Sequence, residues 1–263
     1  MRTLQATTTP SRSWRGAGSL LLAAALLCLG DAARAQEAVG TVIHLSGLTT
    51  ARRDDGSTRL LAAQSVIHEG ETLVTQADTY VEVEFVDDAT LTLGPASRLQ
   101  VTRYSWNPEH PAADRVVLEL LDGRMRSVTG RLGKRNHDAI LIKVPGGEIA
   151  VRGTDLLVQS VSPGLAVPTS PMAATVAAPP GPTLAPGLYV QVIDGLIHVS
   201  NPVGSNSFSA GQFGYTASFV QPPVVLPANP GLQFTPPPAF NQSTGPSAST
   251  APGKSSAVDC VVR

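Results

Sequence analysis

Between residues 38 and 160 apolar and polar positions alternate in short runs. The clearest run is Thr79-Tyr80-Val81-Glu82-Val83-Glu84-Phe85, in which Val81, Val83 and Phe85 share one face. A period of two marks a half-buried strand. Leu91 and Leu93, Leu99 and Val101, and Val116, Leu118 and Leu120 continue the pattern. Asp54-Asp55-Gly56, Asp87-Asp88, Asp122-Gly123 and Pro145-Gly146-Gly147 fall between the runs, and these residue types favour turns. After residue 35, no window of helical length carries a 3.6-residue apolar stripe. The pattern predicts an all-β fold, either a short-stranded sandwich, a roll or a β-helix.

Composition divides the rest of the chain. Of 22 prolines, 17 lie after Ser160, where the only charged side chains are Asp194, Lys254, Asp259 and Arg263. Residues 161–187 are rich in proline and alanine and carry no period, so they are expected to form a loop or linker. Over 188–220 additional strand pairs are expected to pack on the domain. The first would turn at Asp194-Gly195, a dipeptide typical of hairpins, and the second at Ala210-Gly211-Gln212. Residues 221–263 read as a proline-rich, largely disordered tail.

The first 35 residues have the order of a secretory signal peptide. Arg2, Arg12 and Arg15 precede an apolar run over 16–30, and Ala33-Arg34-Ala35 supplies a small-x-small cleavage site. The run is shorter than the ~20 residues a spanning helix needs, so export to the periplasm or medium is expected, with no stable membrane insertion after cleavage. Cleavage would leave 15 basic and 19 acidic side chains and a single cysteine, Cys260. That balance argues against a nucleic-acid partner, and one cysteine cannot form an internal disulfide.

Candidate chemistry is sparse. Glu82 and Glu84 share a strand face, as the outer face of a half-buried strand predicts. Asp87-Asp88 suits an acidic turn better than a cation site. His44, His68, His110, His137 and His198 are widely separated, whereas zinc ligands usually come in local pairs. No nucleophile motif is present, so neither catalysis nor a metal or cofactor is expected. Arg131, Lys134 and Arg135 cluster between two strand-like segments and are candidates for contacting a partner. Arg152-Gly153-Thr154 interrupts an apolar strand-like run. Glycine there suggests a bulge or bend, with Arg152 donating across it and Thr154 returning the chain to strand geometry as a structural clamp.

Five stretches in order resemble the FecR-like domain family, named for an iron-citrate signalling regulator. They are Val39-Gly40-Thr41-Val42 with Leu45-Ser46-Gly47, then Glu69-Gly70-Glu71-Thr72-Leu73-Val74-Thr75, then 83–93 with Pro95-Ala96-Ser97. Leu120-Leu121-Asp122-Gly123-Arg124 and Ile149-Ala150-Val151-Arg152-Gly153-Thr154 complete the series. Asp88-Ala89 stands where the family usually has Asp-Gly. The resemblance implies a bacterial periplasmic β-domain over 38–160 and brings no catalytic residues. It is similar to secreted, stand-alone members, which implies a non-catalytic module binding an envelope protein or cell-wall component. The alternative is an accessory of a transmembrane or iron-uptake signalling system, acting through a separate membrane protein.

Overall fold

A computed structural model describes residues 37–162, 184–217 and 220–241. The expected signal peptide, most of the 161–187 segment and the tail from 242 lie outside the described residues. The strands are β1 (Ala38–Ser46), β2 (Thr49–Arg52), β3 (Thr58–Leu60), β4 (Val66–His68), β5 (Thr72–Thr75), β6 (Tyr80–Phe85), β7 (Thr90–Leu93) and β8 (Arg98–Ser105). After them come β9 (Arg115–Val128), a one-turn helix α1 (Arg131–Arg135), β10 (Ile140–Val144), β11 (Gly147–Val161) and β12 (Gly187–Asn201). Finally come β13 (Gly204–Ser209), β14 (Phe213–Thr216) and β15 (Val224–Leu226). The fold is all-β, and among the described residues no helix is long and apolar enough to cross a membrane.

Hydrogen bonds join all fifteen strands, but β9, β11 and β12 each serve two layers. In the first layer the order is β3-β2-β5-β8, the first half of β9, β10, the first half of β11, the second half of β12, and β13. In the second it is β4-β1-β6-β7, the second half of β9, the second half of β11, the first half of β12, β14 and β15. Side chains from both layers meet in one core. Phe85 of β6 stacks on Tyr104 of β8 with ring centroids 4.4 Å apart, and the arrangement is a sandwich built on bent strands.

The bends fall at glycines, and each changes which residues face inward. In β11 the buried Ile149 and Val151 give way to Leu156, Val158 and Ser160. In β12 Leu188, Val190 and Val192 give way to Ile197 and Val199, and in β9 Val116, Leu118 and Leu120 give way to Met125. Odd and even positions exchange faces at Gly153, Gly195 and Gly123, whose φ values are 60°, 87° and 89°. A one-residue slip turns every later side chain to the other face. Burying each Leu, Ile, Val or Met is worth roughly 1.5–3 kcal/mol, so resetting the phase outweighs the ~1 kcal/mol that glycine costs in a strand. Gly153 and Gly195 lie on adjacent strands where the pairing register breaks. A Cβ on Gly195 would stand 2.3 Å from the Gly153 carbonyl oxygen, so only glycine allows this approach.

These bends revise the expected hairpins. Asp194-Gly195 is a kink within one continuous strand, because β12 pairs with β11 on both sides of it. Ala210-Gly211-Gln212 separates β13 from β14, which pair with successive halves of β12. The actual turn is at 202–203, where the Asn201 side-chain oxygen accepts the N–H groups of Val203 and Gly204, both at 3.0 Å. The proline-rich segment also departs from coil: β15 adds to β14, and Leu232 is buried against Leu157 and Tyr189 on the outer face of the second layer.

Gly195→Val should lower stability by about 2–4 kcal/mol, since it adds a backbone clash to a positive φ. Gly211→Ala should cost only about 1–2 kcal/mol, since its φ is 83° but nothing lies within 4 Å of the added Cβ. Chemical denaturation of the two variants beside the wild type checks this order.

Candidate functional site

The strongest polar clusters tie elements of the sandwich together. Glu71, immediately before β5, has a fully buried side chain. It accepts from Arg59 Nη2 at 2.7 Å, Arg59 Nε at 3.2 Å, Arg53 Nε at 3.3 Å and the His68 N–H at 3.1 Å. The carboxylate thus joins β2, β3 and β4 beneath the first layer's edge. Burial pushes its pKa up, but the bonds from Arg59 and His68 and their positive charge outweigh burial, so it lies below the ordinary 4.5.

Asp87, in the turn between β6 and β7, is 1% exposed. Its carboxylate accepts the Tyr104 hydroxyl, the Leu132 N–H at 3.1 Å and the Ala89 N–H at 3.3 Å. Burial first, and then the Asp87 charge and hydrogen bond, push the Tyr104 pKa far above its ordinary 10.0. Asp87 therefore spends its oxygens on β8, the turn and α1. Asp88, beside it, takes φ 64°, a left-handed conformation that aspartate tolerates.

The three expected partner-contacting cations divide. Arg135 donates to the buried carboxylate of Asp114 through Nε at 2.8 Å and Nη2 at 2.9 Å, and lies 3.8 Å from the Trp106 ring centroid. It fastens the 106–114 connection to α1. Arg131 pairs with Asp88 at 2.7 Å on the surface. Lys134 is exposed and makes no ion pair among the described residues. The segment between the two strands is a helical turn that buries Leu132 and Gly133.

Arg152, Gly153 and Thr154 sit at the bend of β11. Arg152 reaches Asp138 at 3.0 Å, but both side chains are at least half exposed, where such a pair is worth under about 1 kcal/mol. The inner fastening comes from Thr129, which sequence inspection missed. Its hydroxyl donates to the Thr154 carbonyl at 2.8 Å and accepts the Thr154 N–H at 2.9 Å. The Thr154 hydroxyl is buried without a hydrogen-bond partner. No local pattern announces Thr129, which lies 25 residues from the bend.

On the second layer's outer face, His44 Nδ1 and Glu82 Oε2 are 2.8 Å apart. Arg126 holds Asp155 through two bonds of 2.9 and 2.7 Å, and the bond to Asp155 raises the arginine's pKa. Glu84, two residues from Glu82, is exposed, so the two glutamates do not converge.

The outer face of the first layer carries a different arrangement. Cross-strand register aligns Gln100, Glu119, Lys143, Glu148, Ser200 and Ser205 in one row. A cleft of about 520 Å³ opens over this row, lined by Glu119, Lys143, Glu148, Ser200, Asn201 and Pro202 among others. Among the described residues, Glu119, Lys143 and Glu148 make no ion pair. Strands lie ~4.8 Å apart, so the cleft offers alternating negative and positive charge with a hydroxyl beside it. That combination suits polar, charged groups of a bound molecule.

Comparison with known proteins adds a family. Residues 71–169 match the family model described as FecR protein. No curated protein matches the chain. Among solved structures, a cell surface anchoring domain is 31% identical over 24% of this chain and 82% of that one, with a TM-score of 0.23. Two crystal structures of a proposed anti-sigma factor from Parabacteroides distasonis are 10% and 11% identical, with TM-scores of 0.41. The alignment covers 59% of this chain and 58% of each of theirs.

Glu71→Gln should destabilise the protein by about 3–5 kcal/mol at neutral pH, because it strands the buried partners of a charge network. A carboxylate with a lowered folded pKa contributes stability that is present above the unfolded value near 4.5 and is lost as pH falls through the folded one. The wild type should therefore lose stability on acidification below about pH 4.5, and the variant should lose less. Urea midpoints from pH 7 to pH 3 measure the difference.

Proposed function

The chain carries a FecR-family domain over residues 71–169, and from that premise we propose that it is a non-catalytic binding module of the bacterial cell envelope. In this reading the signal peptide directs it to the periplasm, where it holds an envelope protein or a cell-wall component. The unequal covering of its two faces carries the reading. Apolar side chains of the chain's own C-terminal segment cover part of the second layer's outer face. The first layer instead presents the cleft over Glu119, Lys143, Glu148 and Ser200. Unpaired charges in a concave site are available to a partner, and complementary groups there would set specificity more than raw affinity.

The placement of charge supports a non-catalytic role. The buried carboxylates Glu71, Asp87 and Asp114 are engaged by donors that join separate elements. Of the three cations expected to meet a partner, Lys134 keeps its charge available, while Arg131 and Arg135 are drawn into pairs. Contact through this cluster is therefore proposed for Lys134 first.

The family match favours a second reading with the same chemistry. The module would then be an accessory of a signalling system, relaying through a separate membrane protein. The two readings differ in the partner, which capture on the purified full-length mature chain from envelope extracts would identify. Recovery of a sensor or receptor supports signalling, and recovery of cell-wall material or outer-membrane protein supports scaffolding. Ser200→Arg, which fills the cleft, should reduce capture at least tenfold with an unchanged melting temperature. Undiminished capture by this variant would remove the cleft from the proposal.

A further inference from the structure

The segment after β15 runs across the second layer instead of leaving it. Leu232, 4% exposed, enters a cluster with Leu157 and Tyr189. Phe234 meets the Tyr80 ring edge-on at 5.9 Å and lies over Gly94, where an added Cβ would stand 3.3 Å from its ring. Phe240 lies 6.2 Å from Tyr80 and 5.4 Å from His44. The contacts pass in turn over β12 and β11, the end of β7, β6 and β1. Residues 227–240 therefore form a strap across the strands.

The floor beneath the strap departs from the alternation of the layer. Leu157 and Tyr189 point outward from β11 and β12 yet are 3% and 4% exposed. Over Gly94 pack the Arg124 side chain, whose Cγ would stand 2.6 Å from an added Cβ, and the Phe234 ring beside it. The groove is thus an apolar and aromatic track, and its occupant carries prolines at 227, 230, 236, 237 and 238. Proline-rich segments dock on aromatic-lined grooves because they are already extended and lose little entropy on binding.

The strap is held mainly by side-chain anchors. Its proline nitrogens donate nothing, and its polar tie to the face beneath is Arg124 Nη1 donating to the Gln233 carbonyl at 3.3 Å. The bonds of Asn229 to Gly231 and Leu232 are local to the segment. A strap attached in this way can be replaced by another segment with the same anchors.

We propose that this groove is a binding site for proline-rich peptide segments with a Leu-x-Phe anchor, and that residues 227–240 occupy it as a competing intramolecular ligand. The idea deepens the binding-module reading and rests on it for its use in the cell. Its geometry is separate, because the groove and the cleft over Lys143 lie on opposite layers. A short tether gives a cis ligand an effective concentration in the millimolar range. A free peptide with a dissociation constant near 100 μM would therefore bind the wild-type chain about tenfold more weakly than a chain with a loosened strap.

The probe is a fluorescently labelled peptide of residues 227–241, titrated into the full-length mature chain and followed by anisotropy. Leu232→Ala with Phe234→Ala in the protein should tighten binding about tenfold. Gly94→Val added to that background crowds the place of Phe234 and should abolish the gain. Melting curves establish that each variant is folded. Should the double variant unfold, Arg124→Ala removes the tie at Gln233 and the stem packed beside Phe234 over Gly94, and should give a smaller gain in the same direction. Equal binding to the wild type and a folded strap variant would overturn the proposal, as would a gain that survives Gly94→Val. Failure here with successful envelope capture would remove the groove and leave the binding-module reading standing.

Discussion

The close approach of the Gly153 carbonyl to Gly195 is the constraint on which the sandwich depends. At this point β11 and β12 bend together and pass from one layer to the other. Both strands also exchange the parity of their buried residues there, so that Ile149 and Val151 face the same core as Leu156 and Val158. Two separate hairpins could bury the same side chains only by ending the strands and leaving backbone groups to satisfy. The continuous bent strands keep their ladder through most of the turn, and Thr129 secures the inner side by bonding both backbone groups of Thr154.

Polar clamps close the parts of the sandwich that bent strands do not. Asp87 joins the β6–β7 turn to Tyr104 in the first layer and Leu132 in α1. Asp114 holds α1 through Arg135, and Glu71 gathers the short strands β2 to β4. Each places a carboxylate where burial is costly unless donors surround it. Their multiple partners explain why these groups lie inside a domain that otherwise buries apolar side chains. They also explain why charge clusters in the chain need not mark a binding surface: Arg135 looks available in sequence and is committed in structure.

Much of the fold was legible because alternation is a local signal. Val81, Val83 and Phe85 face inward as their spacing requires, and the order of turns brought the FecR resemblance within reach. What misled was a break in that same signal. A bulge that resets parity and a hairpin that reverses direction both appear as glycine between two alternating runs, so Asp194-Gly195 read as a turn. Only the partner strand distinguishes them, and β11 lies more than 30 residues away. The candidate site was less legible. Thr129, Asp114 and Trp106 act through contacts across the fold, and the cleft assembles Glu119, Lys143, Glu148 and Ser200 from four strands. The strap was hidden for another reason. Proline removes the backbone periodicity that sequence patterns detect, yet it does not prevent Leu232 and Phe234 from packing.

The extent of the family match gives the architecture a further meaning. It ends at residue 169, before β12, so β12 to β15 and the strap lie outside the matched segment. Without β12, both halves of β11 would expose an unpaired ladder, and an open strand edge invites pairing with other chains. Leu157 would also face solvent. The C-terminal portion answers both problems, adding the bent β12 with β13 to β15 to the edge and laying side chains over Leu157. The matched segment, completed in this way, has one outer face partly occupied by its own chain and another that presents the charged cleft. On the proposed reading, a partner would meet the cleft first, and the strapped face would become available only when its own segment gives way.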